Sequence, residues 1–184
     1  MPTLTGLGER SHLARPTVDL ETLIQDVVNL LHYEDLTNVM LVGWSYGGTI
    51  VAGAADLAPE RIGHLVYFDS DVPRDGDTSA PRSAHARRLE LAQQYGDGWP
   101  VPPSATRLES ALLRDLPADQ QNWIRERFAA HPLNTWLQPI RLSGAADGIP
   151  PAMSAAWSST TRPTRTRSVR TRGSGARPAG STWR

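Results

Sequence analysis

The sequence contains no cysteine and no lysine. Without cysteine there is no disulfide framework, no zinc–thiolate site and no thiol nucleophile. All 19 cationic side chains are therefore arginine, set against 19 acids. This bias, with abundant Ala, Pro and Gly, reflects a GC-rich gene rather than a function. No run approaches the roughly 20 apolar residues that a membrane span needs. The opening MPTLTGLGERSHL lacks the charged-then-apolar order of a signal peptide. These absences lead to the expectation of a cytoplasmic chain with no membrane partner. At 184 residues the chain suits one domain with a core of its own.

A further absence is local. Every Asp and Glu lies at or before Asp147, where 12 arginines leave a net charge of −7; residues 148–184 carry seven arginines and no acid. That last stretch also lacks histidine, and from Ala152 onward its one aliphatic β-branched residue is Val169. It has no periodicity and cannot bury enough apolar surface to offset its ordering entropy, so it is expected to be disordered. A basic tail could touch nucleic acid, but lysines and interleaved aromatics are missing, and no nucleic-acid partner is expected.

What is present is organised around Gly43-Trp44-Ser45-Tyr46-Gly47. Val39-Met40-Leu41-Val42 before it is the short apolar run of a buried parallel strand. Gly48 to Leu57 after it is rich in Ala and Gly, with Ile50, Val51 and Ala54 at helical spacing. A serine between a strand and a helix is the context of a nucleophile elbow. The two glycines are expected because a side chain at either would clash with backbone in so tight a turn. The helix N-terminus below the serine supplies N–H groups and a positive dipole end for an oxyanion. The plainer reading is a Gly-Ser turn in an ordinary βα unit.

Around this centre, Thr3-Leu4-Thr5 reads as a short β-like stretch, followed by a glycine-rich loop. Asp19 is placed to cap a helix whose apolar face is Leu20, Leu23, Ile24, Val27, Val28, Leu30 and Leu31. His64 to Phe68 is a second buried-strand run, so a parallel βαβ unit is expected. From Pro73 the texture becomes polar and turn-rich. Ser83 to Tyr95 and Pro117 to Ala130 read as helices separated by an irregular proline stretch, together forming a helical cap or lid. Its Trp99, Trp123 and Trp136 either line an apolar substrate pocket or fasten the lid to the body. The expected organisation is a core fragment at 1–72, a helical cap at 73–139, a return to the core at 140–147 and the tail at 148–184.

These residues, PTLTGLGERSHLARP, DLETLIQDVVNLL, NVMLVGWSYGG and ERIGHLVYFDSDVPRDGDT, carry a resemblance. The chain resembles the α/β-hydrolase superfamily. More narrowly, from Pro2 to about Gly144 it is similar to bacterial esterase-like relatives of plant hydroxynitrile lyases and methylesterases. The resemblance implies an α/β fold, with a parallel sheet, flanking helices and a helical lid. It implies Ser45 as nucleophile, the backbone N–H of Tyr46 as half of an oxyanion hole, a small carboxylic ester as substrate, and no cofactor or metal. Trp44 stands where the family usually has histidine.

Three departures are larger. The resemblance implies an earlier strand and an HG-containing loop giving the second oxyanion N–H, and the chain opens after that region. It also implies a catalytic acid and a histidine in the zone occupied here by the low-complexity tail. Of the five histidines, His12, His32, His64, His85 and His131, none matches the family's position. Asp69 and Asp71 follow the second strand, where some α/β-hydrolases place their acid, although this group does not. The expectation is a truncated chain with a frame-shifted C-terminal remnant and impaired hydrolase activity. A hydroxynitrile-lyase-type carbon–carbon lyase and an inactive binding fragment remain open alternatives.

Overall fold

The structure is a computed structural model that describes residues 1–103, 111–149 and 151–154. Helix α1 spans Leu20–Tyr33 and begins where the sequence signals it. The Asp19 carboxylate accepts the Thr22 N–H at 2.9 Å, and the Asp19 N–H reaches back to Thr22 Oγ1 at 3.5 Å. This reciprocal cap satisfies two donors that the first turn leaves without partners. Leu20, Leu23, Ile24, Val27 and Leu31 are the buried stripe of α1.

Strand β1 (Val39–Trp44), helix α2 (Gly47–Leu57) and strand β2 (Ile62–Phe68) form the parallel βαβ unit. An insertion follows. It contains α3 (His85–Tyr95), β3 (Pro100–Val101), α4 (Ala111–Arg114), α5 (Ala118–Arg127), β4 (His131–Pro132) and α6 (Asn134–Leu137). β3 and β4 pair antiparallel, a small ribbon whose first strand lies in what reads in sequence as an irregular proline stretch. The chain then returns to β5 (Pro151–Ser154), parallel to β2, giving the order β1-β2-β5. The helices of the insertion are shorter than the sequence suggests, because Pro117 sits just before α5 and a 3₁₀ turn at Arg82–Ala84 precedes α3.

One core joins these parts. α1 and α2 pack Leu23, Ile24, Ile50, Val51 and Ala54 against Leu65 and Tyr67 of β2, with Ile140 closing it from the insertion. Burying each large aliphatic side chain contributes about 1.5–3 kcal/mol. α2 also carries a buried acid. The Asp56 carboxylate accepts the N–H groups of Ser143, Gly144 and Ala145 at 2.7, 3.0 and 3.0 Å. Burial alone would raise its carboxyl, but the backbone donors outweigh that and hold it below the ordinary value. Asp56 thus pins the segment leading into β5 to the end of α2.

Three expectations need correction. Thr3-Leu4-Thr5 is not a strand; the Thr5 N–H and hydroxyl instead donate to the Asp26 carboxylate, which also pairs with Arg10 at 3.2 Å. β1 is not buried on both faces: Met40, Val42 and Trp44 are 63%, 55% and 58% exposed, because the helices cover only the other side. Finally, the sheet extends into the stretch assigned to the tail, since β5 begins at Pro151 and finds its hydrogen-bonding partners along β2. Residues 155–184, the rest of that tail, lie outside the described residues. Among the described residues no helix is long and apolar enough to cross a membrane.

Candidate active site

Ser45 occupies the two-residue turn between β1 and α2, with φ of +51°. A non-glycine residue in the left-handed region is strained by about 1–3 kcal/mol and is held there by its surroundings. Here the Ser45 N–H donates to Phe68 O at 3.0 Å, and Ser45 O accepts from the Gly48 N–H at 3.0 Å. The elbow is therefore bound to β2 on one side and to its own helix on the other.

The steric reading of the glycines is right at one position and wrong at the other. A Cβ at Gly43 would lie 2.6 Å from Gly47 O and 2.6 Å from Val51 Cγ2, whereas one at Gly47 would meet nothing within 4 Å. The crowded second position is Gly48, whose added Cβ would run into the Ser70 hydroxyl. Strand and helix come closest at Gly43, so that glycine sets the turn.

Beside Ser45 opens a cavity of about 300 Å³. Its walls are mostly polar, with Thr49, Asp69, Ser70, Asp71, Asp77 and Thr78 among them, and Arg88 and Trp136 close it from the insertion. Asp69 is also left-handed, with φ of +45°. Parallel pairing of Trp44 with Phe68 brings the residues after each strand side by side, which is why Asp69 and Asp71 share a cavity with Ser45. Among the described residues no histidine lines it.

Tyr46 follows Ser45 at the start of α2, and its N–H has no hydrogen-bond acceptor among the described residues. Its side chain points into the insertion. The phenol donates to Thr135 O at 3.1 Å, and the ring meets His131 edge-on at 5.0 Å and Trp136 at 4.7 Å. Burial pushes the Tyr46 phenol well above its ordinary value, so it stays a neutral donor. Thr135, fully buried, donates to Pro132 O at 2.6 Å and therefore accepts from His131 Nδ1 at 2.7 Å. Two atoms in this quarter, Ser79 Oγ and Trp136 Nε1, are buried without a partner among the described residues.

The histidines are dispersed. His12 sits exposed in a 3₁₀ turn, His32 in the last turn of α1 against Tyr33, and His64 on the open face of β2. His85 Nε2 lies between Thr78 Oγ1 at 3.2 Å and Ala80 O at 3.0 Å. Of the three tryptophans in the insertion, Trp136 lines the Ser45 cavity and also packs on Tyr46. Trp99 fastens the ribbon by accepting the Leu133 N–H at 2.7 Å, and Trp123 is 58% exposed under the Arg127 guanidinium. Among the described residues no three His, Asp or Glu side chains converge as a metal site requires. Tyr46's contacts with residues about ninety positions later carry no local sequence signal.

The carbendazim hydrolyzing esterase of Nocardioides sp. (strain SG-4G) is 34% identical over 155 residues, covering 80% of this chain and 63% of that protein. The putative chloroplastic methylesterase 15 of Arabidopsis thaliana is 27% identical over 124 residues, 61% of this chain and 27% of that protein. An extracellular alpha/beta-hydrolase from a Paenibacillus species, 21% identical, shares the fold at a TM-score of 0.68 over 83% of this chain and 63% of that one. The chain thus spans less than two thirds of the length of each of these proteins. The sequence pattern of the alpha/beta hydrolase family matches residues 1–179, and the chain belongs to that family.

Proposed function

We propose that the chain hydrolyses small carboxylic esters with an apolar or aromatic part, with Ser45 as nucleophile. The observation that carries this reading is the strained turn at Ser45, φ +51°, opening on a cavity of about 300 Å³. Strain of this kind is retained where it aims a side chain. Relatives named as an esterase and a methylesterase support the same class of reaction. Ser45 Oγ attacks the ester carbonyl, the alkoxide oxygen forms beside the Tyr46 N–H, and the alcohol leaves to give an acyl-serine that water then cleaves.

The attack requires that Ser45 lose its proton. Among the described residues no histidine lines the cavity, so on this reading the proton passes to water and turnover is expected to be slow. Triads without one member retain only about 10³–10⁴-fold acceleration over water.

The test is an organophosphonate probe with peptide mapping, run alongside turnover of a chromogenic aryl acetate. Ser45 is expected to carry the label, and Ser45→Ala to lose both label and turnover. Label on another serine, or equal labelling of Ser45→Ala, overturns the assignment. Benzaldehyde release from mandelonitrile without ester turnover moves the reaction to the lyase class.

A further inference from the structure

A second cavity, of about 250 Å³, lies behind the first. Its walls are mostly apolar, with Leu91, Val101, Pro102, Pro103, Phe128 and Ala129, and Arg87 and His131 are the polar side chains besides the shared Arg88. Arg88 and Trp136 line both cavities, with the guanidinium 4.5 Å above the indole ring. This stacked pair is the partition between a polar chamber at Ser45 and an apolar chamber in the insertion. Trp136 is held in turn by the Tyr46 and His131 rings at 4.7 and 5.0 Å, so the partition has a defined position.

We infer that the apolar chamber is the subsite for the apolar half of the ester, and that Arg88 and Trp136 set how the substrate is divided between the two chambers. The inference rests on reading Ser45 as the nucleophile. The chamber at Ser45 is polar, with hydroxyls that can donate to the ester oxygens, and it gives a hydrocarbon little apolar surface to bury against. The chamber behind it has the opposite chemistry. A cavity of about 150 Å³ already takes benzene, so the observed 250 Å³ accommodates a benzyl group or a six-carbon chain. Each methylene that leaves water there strengthens binding by about fourfold.

The experiment compares kcat/KM of the full chain for methyl acetate, methyl hexanoate and hexyl acetate by acid release. One six-carbon ester is expected to exceed methyl acetate by at least about tenfold. In Leu91→Trp, which fills the chamber, that ratio is expected to fall about tenfold. In Leu91→Ala, which widens it, the optimum is expected to move to longer chains. Ratios unchanged in both variants, with folding verified by circular dichroism, overturn the inference. Absence of turnover for every ester strikes the Ser45 reading instead, and calorimetry with 2-octanone, an uncleavable ester isostere, then decides the chamber. Tighter binding to the unsubstituted chain than to Leu91→Trp, by about tenfold, supports it; equal affinity or no binding overturns it.

Discussion

The two faces of the central sheet are built from equally apolar sequence and have opposite fates. Leu65 and Tyr67 of β2 face α1 and α2 and are 4% and 3% exposed, whereas Met40, Val42 and Trp44 of β1 look the other way and are more than half exposed. Phe68, beside Trp44 in the register, is also exposed. Within a parallel strand, neighbouring side chains alternate between faces, so one apolar run serves two surfaces. The comparison teaches that the cooperative part of this protein is the helix-covered side, and that Ser45 is held from that side through Gly43 and α2.

The sharpest test of this contrast is Leu65→Ala. It removes a buried side chain from the covered face and is expected to cost about 2–5 kcal/mol in urea unfolding. A loss below that of an open-face substitution would break the comparison. Next comes Asp56→Ala, which leaves three backbone N–H groups without their carboxylate and is expected to cost about 1–3 kcal/mol at neutral pH. The sign of its pH dependence follows from the lowered pKa. The Asp56 contribution is present above the ordinary carboxyl value near pH 4 and is lost as pH falls through the lower folded value. The stability gap between Asp56→Ala and the unsubstituted chain should therefore narrow in acid, as unfolding curves at pH 7 and pH 3 would show.

Tyr46→Phe sharpens the comparison from the insertion side. It deletes one hydrogen bond, to Thr135 O, while keeping the ring contacts, and is expected to cost about 1 kcal/mol. The smallest effect is expected for Val42→Thr on the open face, within about 0.5 kcal/mol, because its hydroxyl meets solvent. A drop above 2 kcal/mol there would mean that the open face carries stability after all.

Local features were legible from the chain alone. The Asp19 cap, the stripe from Leu20 to Leu31 and the placement of Ser45 between strand and helix each depend on residues within one or two turns of one another. The exposure of Met40 and Val42 was not legible, since an apolar strand reads alike whether one or both of its faces are covered. β5 was hidden because Pro151 donates no ladder hydrogen bond and the surrounding composition is that of a tail. In the site, Asp69 and Asp71 beside Ser45 follow from parallel pairing, whereas the Tyr46 contact with Thr135 joins residues 89 apart and leaves no trace in any local pattern.

The Asp56 anchor has a kinetic consequence. Its carboxylate joins residues up to 89 positions apart, so the bond forms only after the whole insertion has been looped back onto α2. Closing so long a loop carries an entropic cost that neighbouring contacts must first offset. The anchor therefore belongs to the late side of the folding barrier. Removing it should leave the refolding rate nearly unchanged and quicken unfolding, with a φ-value near zero. Asp56 then acts as a latch on the native state, governing how long the insertion stays seated over Ser45.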